Sequence, residues 1–292
     1  MKIAVCVHLY HPDMWEEIQN YLNNLKYDYN LYVNLPYQTD GSIPSNFEWE
    51  TYINSYDDLK NANKNTYEKA IEHYKKNGHR ENRLYSKEQF DVVEKIKRYK
   101  SDSNIIISPN KGLDLGGFLY TYKHIDLDTD LILKIHTKKG MGSKEIPSRE
   151  IEVNGFDKAF KKGKKWFKAL MDGVLISENQ VDNIINNFKI DEKLGMVGYH
   201  KSNNFSLNYF EMEKLFEYFG MSGLQSNYAF IGGTIFWCRN SILKKYLTNQ
   251  TIDILLDRMP YGYVIEPSIN HAMERILGCL VYVENKDIRV IG

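Results

Sequence analysis

The chain has 292 residues, with 38 Lys and Arg against 38 Asp and Glu, 42% hydrophobic and 13% aromatic residues. It is too apolar and aromatic for a disordered chain, and no apolar run approaches the ~18 residues of a membrane span. Overall neutrality argues against a general nucleic-acid binder, which needs a basic balance. The length suits one domain, residues 1–292, with an ample core. The N-terminus, MKIAVCVHLY, runs straight into a strand pattern without the cleavage site of a signal peptide. Cys6, Cys238 and Cys279 are widely spaced in apolar surroundings, as expected of reduced thiols in the cytoplasm. The neutrality is an average. Residues 134–168 hold ten Lys and one Arg against four acids, so a local anion site is expected there.

Residues 2–10 form a near-continuous apolar run, expected to be a strand buried on both faces. Pro12 and Asp13 open a helix whose stripe is Met14, Ile18, Leu22 and Leu25. Residues 29–35 read as a second strand. Residues 46–83 interrupt the alternation with a polar, helical pattern ended by Gly78, expected to be an inserted helical hairpin. His73 and His79 lie within it without paired ligand spacing, which favours core or surface histidines over metal ligands. Ser86 and Gln89 form a capping-box pattern ahead of a helix with Phe90, Val93 and Ile96 inside. Residues 104–108, 130–135, 195–199, 231–237 and 279–284 complete the expected strands. This alternation predicts an α/β protein with an open, mostly parallel sheet flanked by helices and a helical insertion. Ligands of such sheets sit outside the carboxyl ends of the strands.

Four strand-end segments carry candidate chemistry. After residues 104–108 comes PNKGLDLGGF, in which Gly112 and the Gly116-Gly117 pair permit close backbone approach. Asn110 and Asp114 there are able to bind a base or ribose hydroxyls, with Asp114 as a helix N-cap the competing reading. After residues 130–135 comes His136-Thr137-Lys138-Lys139, a potential cradle for a diphosphate. Lys134 and His136 share one side of a buried strand and need a partner or a ligand. Asp126, Asp128 and Asp130 precede that strand and read as loop and cap residues at the opposite end of the sheet. Gly232 and Gly233 mark close approach by a ligand or a packed neighbour. Beyond Glu266, Pro267 and Ser268 start a helix on which His271, Glu274 and Arg275 share a face, as a general base with its partners or as a salt bridge.

The ordered series NKGLDLGGFL, DLILKIHTKK, GMVG, FIGGTIFWCR and HAMERILG resembles the rhamnan synthesis protein F family of glycosyltransferases over most of the chain outside the insert. The resemblance implies a GT-A-like, Rossmann-like fold, a nucleotide-sugar donor such as a deoxyhexose (rhamnose) nucleotide, and a glycan, polysaccharide or lipid-linked acceptor. Leu113 stands where the family usually has Arg, and Trp166-Phe167-Lys168 where it has a Trp-Arg pair. The insert resembles a small helical module attached to other glycosyltransferases.

Joined to that resemblance, the strand-end segments suggest a mechanism. Asn110, Gly112 and Asp114 would bind the nucleoside. His136, Thr137, Lys138 and Lys139 would supply the counter-charge directly, giving metal-independent transfer without a cofactor, with Mn²⁺ or Mg²⁺ an open alternative. Gly232, Gly233 and Arg275 would line the donor site. Glu274 or Glu266 would deprotonate the acceptor for an inverting displacement, with His271 orienting that carboxylate or replacing it. A catalytically inactive nucleotide-sugar or glycan-binding module is the alternative. Residues 158–168, KAFKKGKKWFK, read as a solvated helix face, a lid over the donor phosphates or a peripheral membrane contact.

Overall fold

The apolar runs of the sequence become a seven-stranded sheet in the computed structural model, which describes residues 1–62, 66–139, 163–262, 264 and 266–290. In chain order the sheet strands are β1 (Ile3–His8), β2 (Asn30–Gln38), β3 (Asn104–Pro109), β4 (Leu131–His136), β5 (Leu194–Gly198), β8 (Phe236–Arg239) and β9 (Asp287–Val290). Two short strands, β6 (Lys201–Ser202) and β7 (Phe230–Ile231), pair separately. The sheet order is β3-β2-β1-β4-β8-β5-β9. Strands β1 to β4 run parallel, β8 runs antiparallel to β4 and β5, and β9 is parallel to β5. The fold is thus a Rossmann-like α/β one with a mostly parallel central sheet.

Alternation along each strand sends side chains to two buried faces. Ile3, Val5, Val7, Leu131, Leu133 and Ile135 meet α1 (Trp15–Leu22), α5 (Lys87–Tyr99), α7 (Gly163–Leu175) and α8 (Glu178–Ile190). Ala4, Cys6, Ile132, Met196 and Cys238 meet α6 (Leu113–Tyr122), α9 (Tyr209–Tyr218), α10 (Asn240–Tyr246), α11 (Asn249–Arg258) and α12 (Ile269–Val283). All three cysteines are free and buried.

Among its described residues the insert holds three short helices, α2 (Trp49–Asn54), α3 (Asp57–Asn61) and α4 (Tyr67–His73), then a π-helical turn (Tyr74–Gly78). It has its own core of Tyr52, Ile53, Leu59, Ala70, Tyr74 and Tyr85. His73 belongs to that core, its Nδ1 2.8 Å from the Tyr52 hydroxyl, and His79 Nδ1 donates to the Tyr74 carbonyl at 3.0 Å.

Several elements depart from the sequence expectation. Residues 279–284 are the end of α12, not a strand. A short apolar run has no period that separates a buried strand from a buried helix, and α12 is buried almost all round. The last strand is instead β9. Residues 231–237 are not one strand either, because Gly233 (φ +81) and Thr234 (φ +52) turn the chain between β7 and β8. Ser86 does precede α5, but its Oγ finds no partner, and Gln89 Oε1 accepts from the Tyr85 amide at 2.8 Å. The buried face of α5 is Gln89, Val92 and Ile96, with Phe90 and Val93 only partly covered. Helix α6 begins at Leu113 with Gly112 (φ +74) as its N-cap, so Asp114 lies inside the first turn.

The Gly116-Gly117 pair lets α6 lie against the strand ends. A Cβ on Gly116 would sit 1.8 Å from the Lys111 carbonyl oxygen. One on Gly117 would sit 2.0 Å from His8 Nδ1 and 2.7 Å from Asn34 Oδ1.

Candidate functional site

The parallel register aligns polar side chains across the carboxyl ends of the strands, on the face covered by α6. Asn34 pairs with His8, and His8 with His136. Asn34 Nδ2 donates to Ser108 Oγ at 2.9 Å, and its Oδ1 lies 2.7 Å from His8 Nδ1. All of these side chains are buried. A buried polar group costs stability unless bonded, so this row is a fixed platform beneath the α6 N-terminus.

At its end lies a charged centre. Lys134 on β4 is 1% exposed. Its ammonium donates to Asp114 Oδ2 at 2.7 Å, to the Thr234 carbonyl at 2.9 Å and to Thr234 Oγ1 at 3.0 Å. All three N–H donors are therefore used. The Thr234 hydroxyl in turn donates to Asp114 Oδ2. His136 Nδ1 lies 3.6 Å from the same carboxylate. The partner demanded by Lys134 is thus Asp114, whose place in the first turn of α6 also suits its negative charge, while His136 Nδ1 lies near it without a hydrogen bond. Thr234 is β-branched with positive φ, a strained conformation that persists only where surrounding contacts fix it. Here those contacts are Lys134 and Asp114.

Burial acts to raise the Asp114 carboxyl, but the Lys134 ammonium and the hydrogen bonds from Lys134 and Thr234 hold it well below the usual carboxylate range, and His136 adds to this where its ring is protonated. Burial drives the His136 ring well below its ordinary value against the pull of Asp114, and burial likewise lowers His8 against its bond to Asn34. At neutral pH both rings are neutral, so His136 joins the strand end as an uncharged group.

A pH dependence follows. Both histidines have folded-state pKa values below the unfolded value of ~6.5. Their contribution to stability is complete above that pH and is lost as pH falls through it. Each loses up to about 1.4 kcal/mol per pH unit below ~6.5, while Asp114 stays ionised throughout. The melting temperature is expected to fall between pH 7.5 and 5.5, and His136→Gln to flatten that slope. An unchanged slope in the variant would place the acid sensitivity elsewhere.

The remaining strand-end residues divide. Thr137 Oγ1 accepts from the amides of Tyr10 and His11 at 3.0 and 3.1 Å, tying the β4 end to the β1 end. Lys139 pairs with Asp13. Lys138 is half-buried and forms no ion pair among the described residues. Much of the expected cradle is therefore compensated within the protein. Residues 140–162, including the first part of 158–168, lie outside the described residues. In the described part, Phe167 is fully buried and Trp166 lies beside Gly233 and His200, so these two aromatic rings face the protein. No helix among the described residues is long and apolar enough to cross a membrane.

The β7–β8 turn faces α12. The Gly233 amide donates to Glu274 Oε1 at 2.7 Å, and Glu274 also acts electrostatically on Lys134. Asp114, Lys134, Thr234, Gly233 and Glu274 thus form one centre built from α6, β4, the turn and α12. Glu266 is occupied differently. Arg275 donates to its Oε1 at 2.5 Å, and the Asn208 side-chain amide donates to the same oxygen. Arg275 Nη1 donates to the His271 carbonyl at 2.8 Å and lies 3.6 Å from Glu274 Oε2. His271 Nδ1 is engaged by Ser268 Oγ at 2.8 Å, in the N-cap of α12. The face shared by His271, Glu274 and Arg275 is real, but Arg275 ties chiefly to Glu266. Gly232 donates its amide to the His200 carbonyl at 2.9 Å, a packed neighbour at the turn.

Asn110 follows β3, and its carbonyl accepts from the Gly262 amide, while the Gly112 amide donates to the Pro260 carbonyl, both at 2.9 Å. With Tyr10, Pro12, Pro36, Tyr37, Asn46, Tyr85, Glu88 and Gln89, Asn110 lines a cavity of about 300 Å³ outside the ends of β1, β2 and β3. The sequence pattern did not single out Thr234, Tyr10, Tyr37 or Glu88. The strand-end rule pointed at the first residues after β1, where Tyr10 lies, whereas Tyr37 is within the last residues of β2 and Thr234 and Glu88 are placed by long-range packing alone. Asp126, Asp128 and Asp130 lie at the other end of β4, where Asp128 and Asp130 contact Lys2. Among the described residues no group of three or more His, Cys, Asp or Glu side chains gathers to hold a metal ion.

A Rossmann-like sheet with its polar centre and cavity at the carboxyl strand ends has both at the place where ligands of such α/β sheets sit. The chain belongs to the rhamnan synthesis protein F family, whose sequence profile matches residues 84–286. That membership ties it to polysaccharide synthesis in a glycosyltransferase-type role, with a sugar donor and a glycan acceptor as the general partners. Strands β1 and β2 and the insert lie outside the matched span. No curated protein and no solved structure matches the chain.

Proposed function

We propose that the protein is an inverting glycosyltransferase of GT-A-like fold that moves a sugar, a deoxyhexose such as rhamnose, from a nucleoside-diphosphate donor to a glycan acceptor. Family membership over residues 84–286 carries this reading. The acceptor hydroxyl oxygen attacks the anomeric carbon as the bond from that carbon to the diphosphate oxygen breaks. The acceptor proton passes to Glu274, and the nucleoside diphosphate leaves. Glu274 suits the base role because the Gly233 amide fixes one oxygen, whereas Glu266 is consumed by Arg275 and Asn208. Asp114 is a poor base, since its carboxyl is held low. Its role is to keep Lys134 in place and, through Thr234, to set the β7–β8 turn on which the sugar would lie. Lys138 and the first amides of α6 meet the charge that grows on the diphosphate.

The strand end at β4 reads His136-Thr137-Lys138, without a carboxylate pair, so transfer is proposed to be independent of a divalent ion. A thermal-shift panel of nucleotide sugars, with EDTA or Mn²⁺, tests the reading, because a ligand that binds the native state raises its melting temperature by mass action. Stabilisation by a deoxyhexose nucleotide in EDTA is expected. Stabilisation that appears only with Mn²⁺ would overturn metal independence, and none with any donor would overturn the function.

A further inference from the structure

The cavity outside β1 to β3 is half built by residues beyond the family match, and its chemistry is specific. Its walls carry the rings of Tyr10, Pro12, Pro36, Tyr37 and Tyr85 among the polar side chains of Asn46, Glu88, Gln89 and Asn110. Such walls suit a planar ring that stacks on aromatic faces, and about 300 Å³ is at the small end of ligand pockets. The Tyr37 hydroxyl is buried with no hydrogen-bond partner, and its pKa is raised by burial and by the nearby Glu88 and Tyr85. A buried hydroxyl left unbonded is costly and points to a missing partner. Glu88 adds an acceptor-only carboxylate at the rim.

The insert is fastened so that Asn46 at its start and Tyr85, two residues beyond its end, form one wall. The Glu48 amide donates to the Tyr85 carbonyl at 3.0 Å, and Glu48 Oε2 accepts from the Lys87 amide at 2.8 Å. Arg83, next to the exit, grips Asp58 through two bonds of 2.9 and 2.8 Å. The Tyr85 amide is held by Gln89 at 2.8 Å. Asn46 and Tyr85 are thereby presented to the cavity from a closed clasp rather than from loose chain.

Resting on the transferase reading, we propose that this cavity is the nucleobase site of the donor, that the insert is its specificity wall, and that Tyr37 and Glu88 select a base carrying an imino N–H beside a carbonyl. The imino N–H of uracil, thymine or guanine donates to Glu88, and the adjoining carbonyl accepts from the Tyr37 hydroxyl. Adenine and cytosine present a ring nitrogen acceptor at the same edge, which faces the carboxylate with lone pair against charge. A base that offers a lone pair in place of the N–H is repelled by the Glu88 carboxylate and binds less tightly than one that donates to it.

Calorimetric titration of the full chain with UDP, TDP, GDP, ADP and CDP is the test. At least one of UDP, TDP and GDP is expected to bind tenfold or more tightly than both ADP and CDP. Glu88→Gln is expected to shrink that ratio at least fivefold, Tyr37→Phe to weaken the preferred nucleotide severalfold, and Asn46→Ala to weaken it while the melting temperature of the free protein holds. Equal binding of all five, or an unchanged ranking in Glu88→Gln, overturns the proposal. Donor hydrolysis measured in parallel separates the two readings. Base-selective binding without hydrolysis keeps the pocket and removes the transferase, and hydrolysis with base-blind binding does the reverse.

Discussion

Asp114→Ala is expected to lower the melting temperature by ~10 °C or more, the largest stability effect of any single change at the site. Lys134 is 1% exposed, and Asp114 is the carboxylate bonded to it. Removing one member of a buried ion pair leaves an uncompensated charge and costs about 3–5 kcal/mol. At 2–4 °C per kcal/mol for a chain somewhat smaller than this one, that loss is ~10 °C. The Thr234 hydroxyl loses its acceptor as well, so the strained turn at Thr234 loosens. The pair itself adds little net stability, because a well-packed apolar replacement is often neutral. The double variant Asp114→Ala with Lys134→Met is therefore expected to recover most of the loss. Calorimetry of the two single variants and the double variant gives the coupling directly. Strict additivity would show that the two side chains do not act as a unit.

Glu274→Gln is expected to have the largest effect on turnover, lowering kcat by roughly 10²–10⁴ with little change in donor KM, as for loss of a general base. The amide still accepts from Gly233, so the turn stays in place and the fold is retained. Glu266→Gln is expected to behave differently. Its carboxylate holds the Arg275 guanidinium, which is 8% exposed, so its loss is felt as a lower melting temperature and a modest fall in kcat. Were Glu266→Gln the inactive variant and Glu274→Gln the unstable one, the two roles would have to be exchanged.

The parts of the fold that were legible in the sequence are those where one local signal suffices. The runs at residues 2–10, 104–108 and 130–135 are apolar on both faces because both faces are covered, and each became a strand of the parallel half. The run at 279–284 carries the same composition but belongs to a helix buried all round, a distinction held only by the packing of α12. The run at 231–237 was broken by two residues with positive φ, one of them Thr234, whose conformation is imposed from outside by Lys134 and Asp114. At the site, burial physics required a partner for Lys134, and strand-end logic brought Asp114 nearby; their pairing needed the structure. The cavity was not legible. Tyr10, Tyr37, Glu88 and Asn110 are far apart in sequence; the register of β1, β2 and β3 brings Tyr10, Tyr37 and Asn110 together, and the packing of α5 adds Glu88.

In the proposed transferase, Glu274 acts from the platform of Asp114 and Lys134. The most direct measurement is release of nucleoside diphosphate and labelling of a rhamnan-type acceptor from nucleotide-deoxyhexose donors, comparing the natural chain with Glu274→Gln in EDTA. Transfer by the natural chain, reduced at least a hundredfold in the variant at equal folded concentration, is the predicted result. No transfer from any donor, or equal transfer by both proteins, would contradict the account.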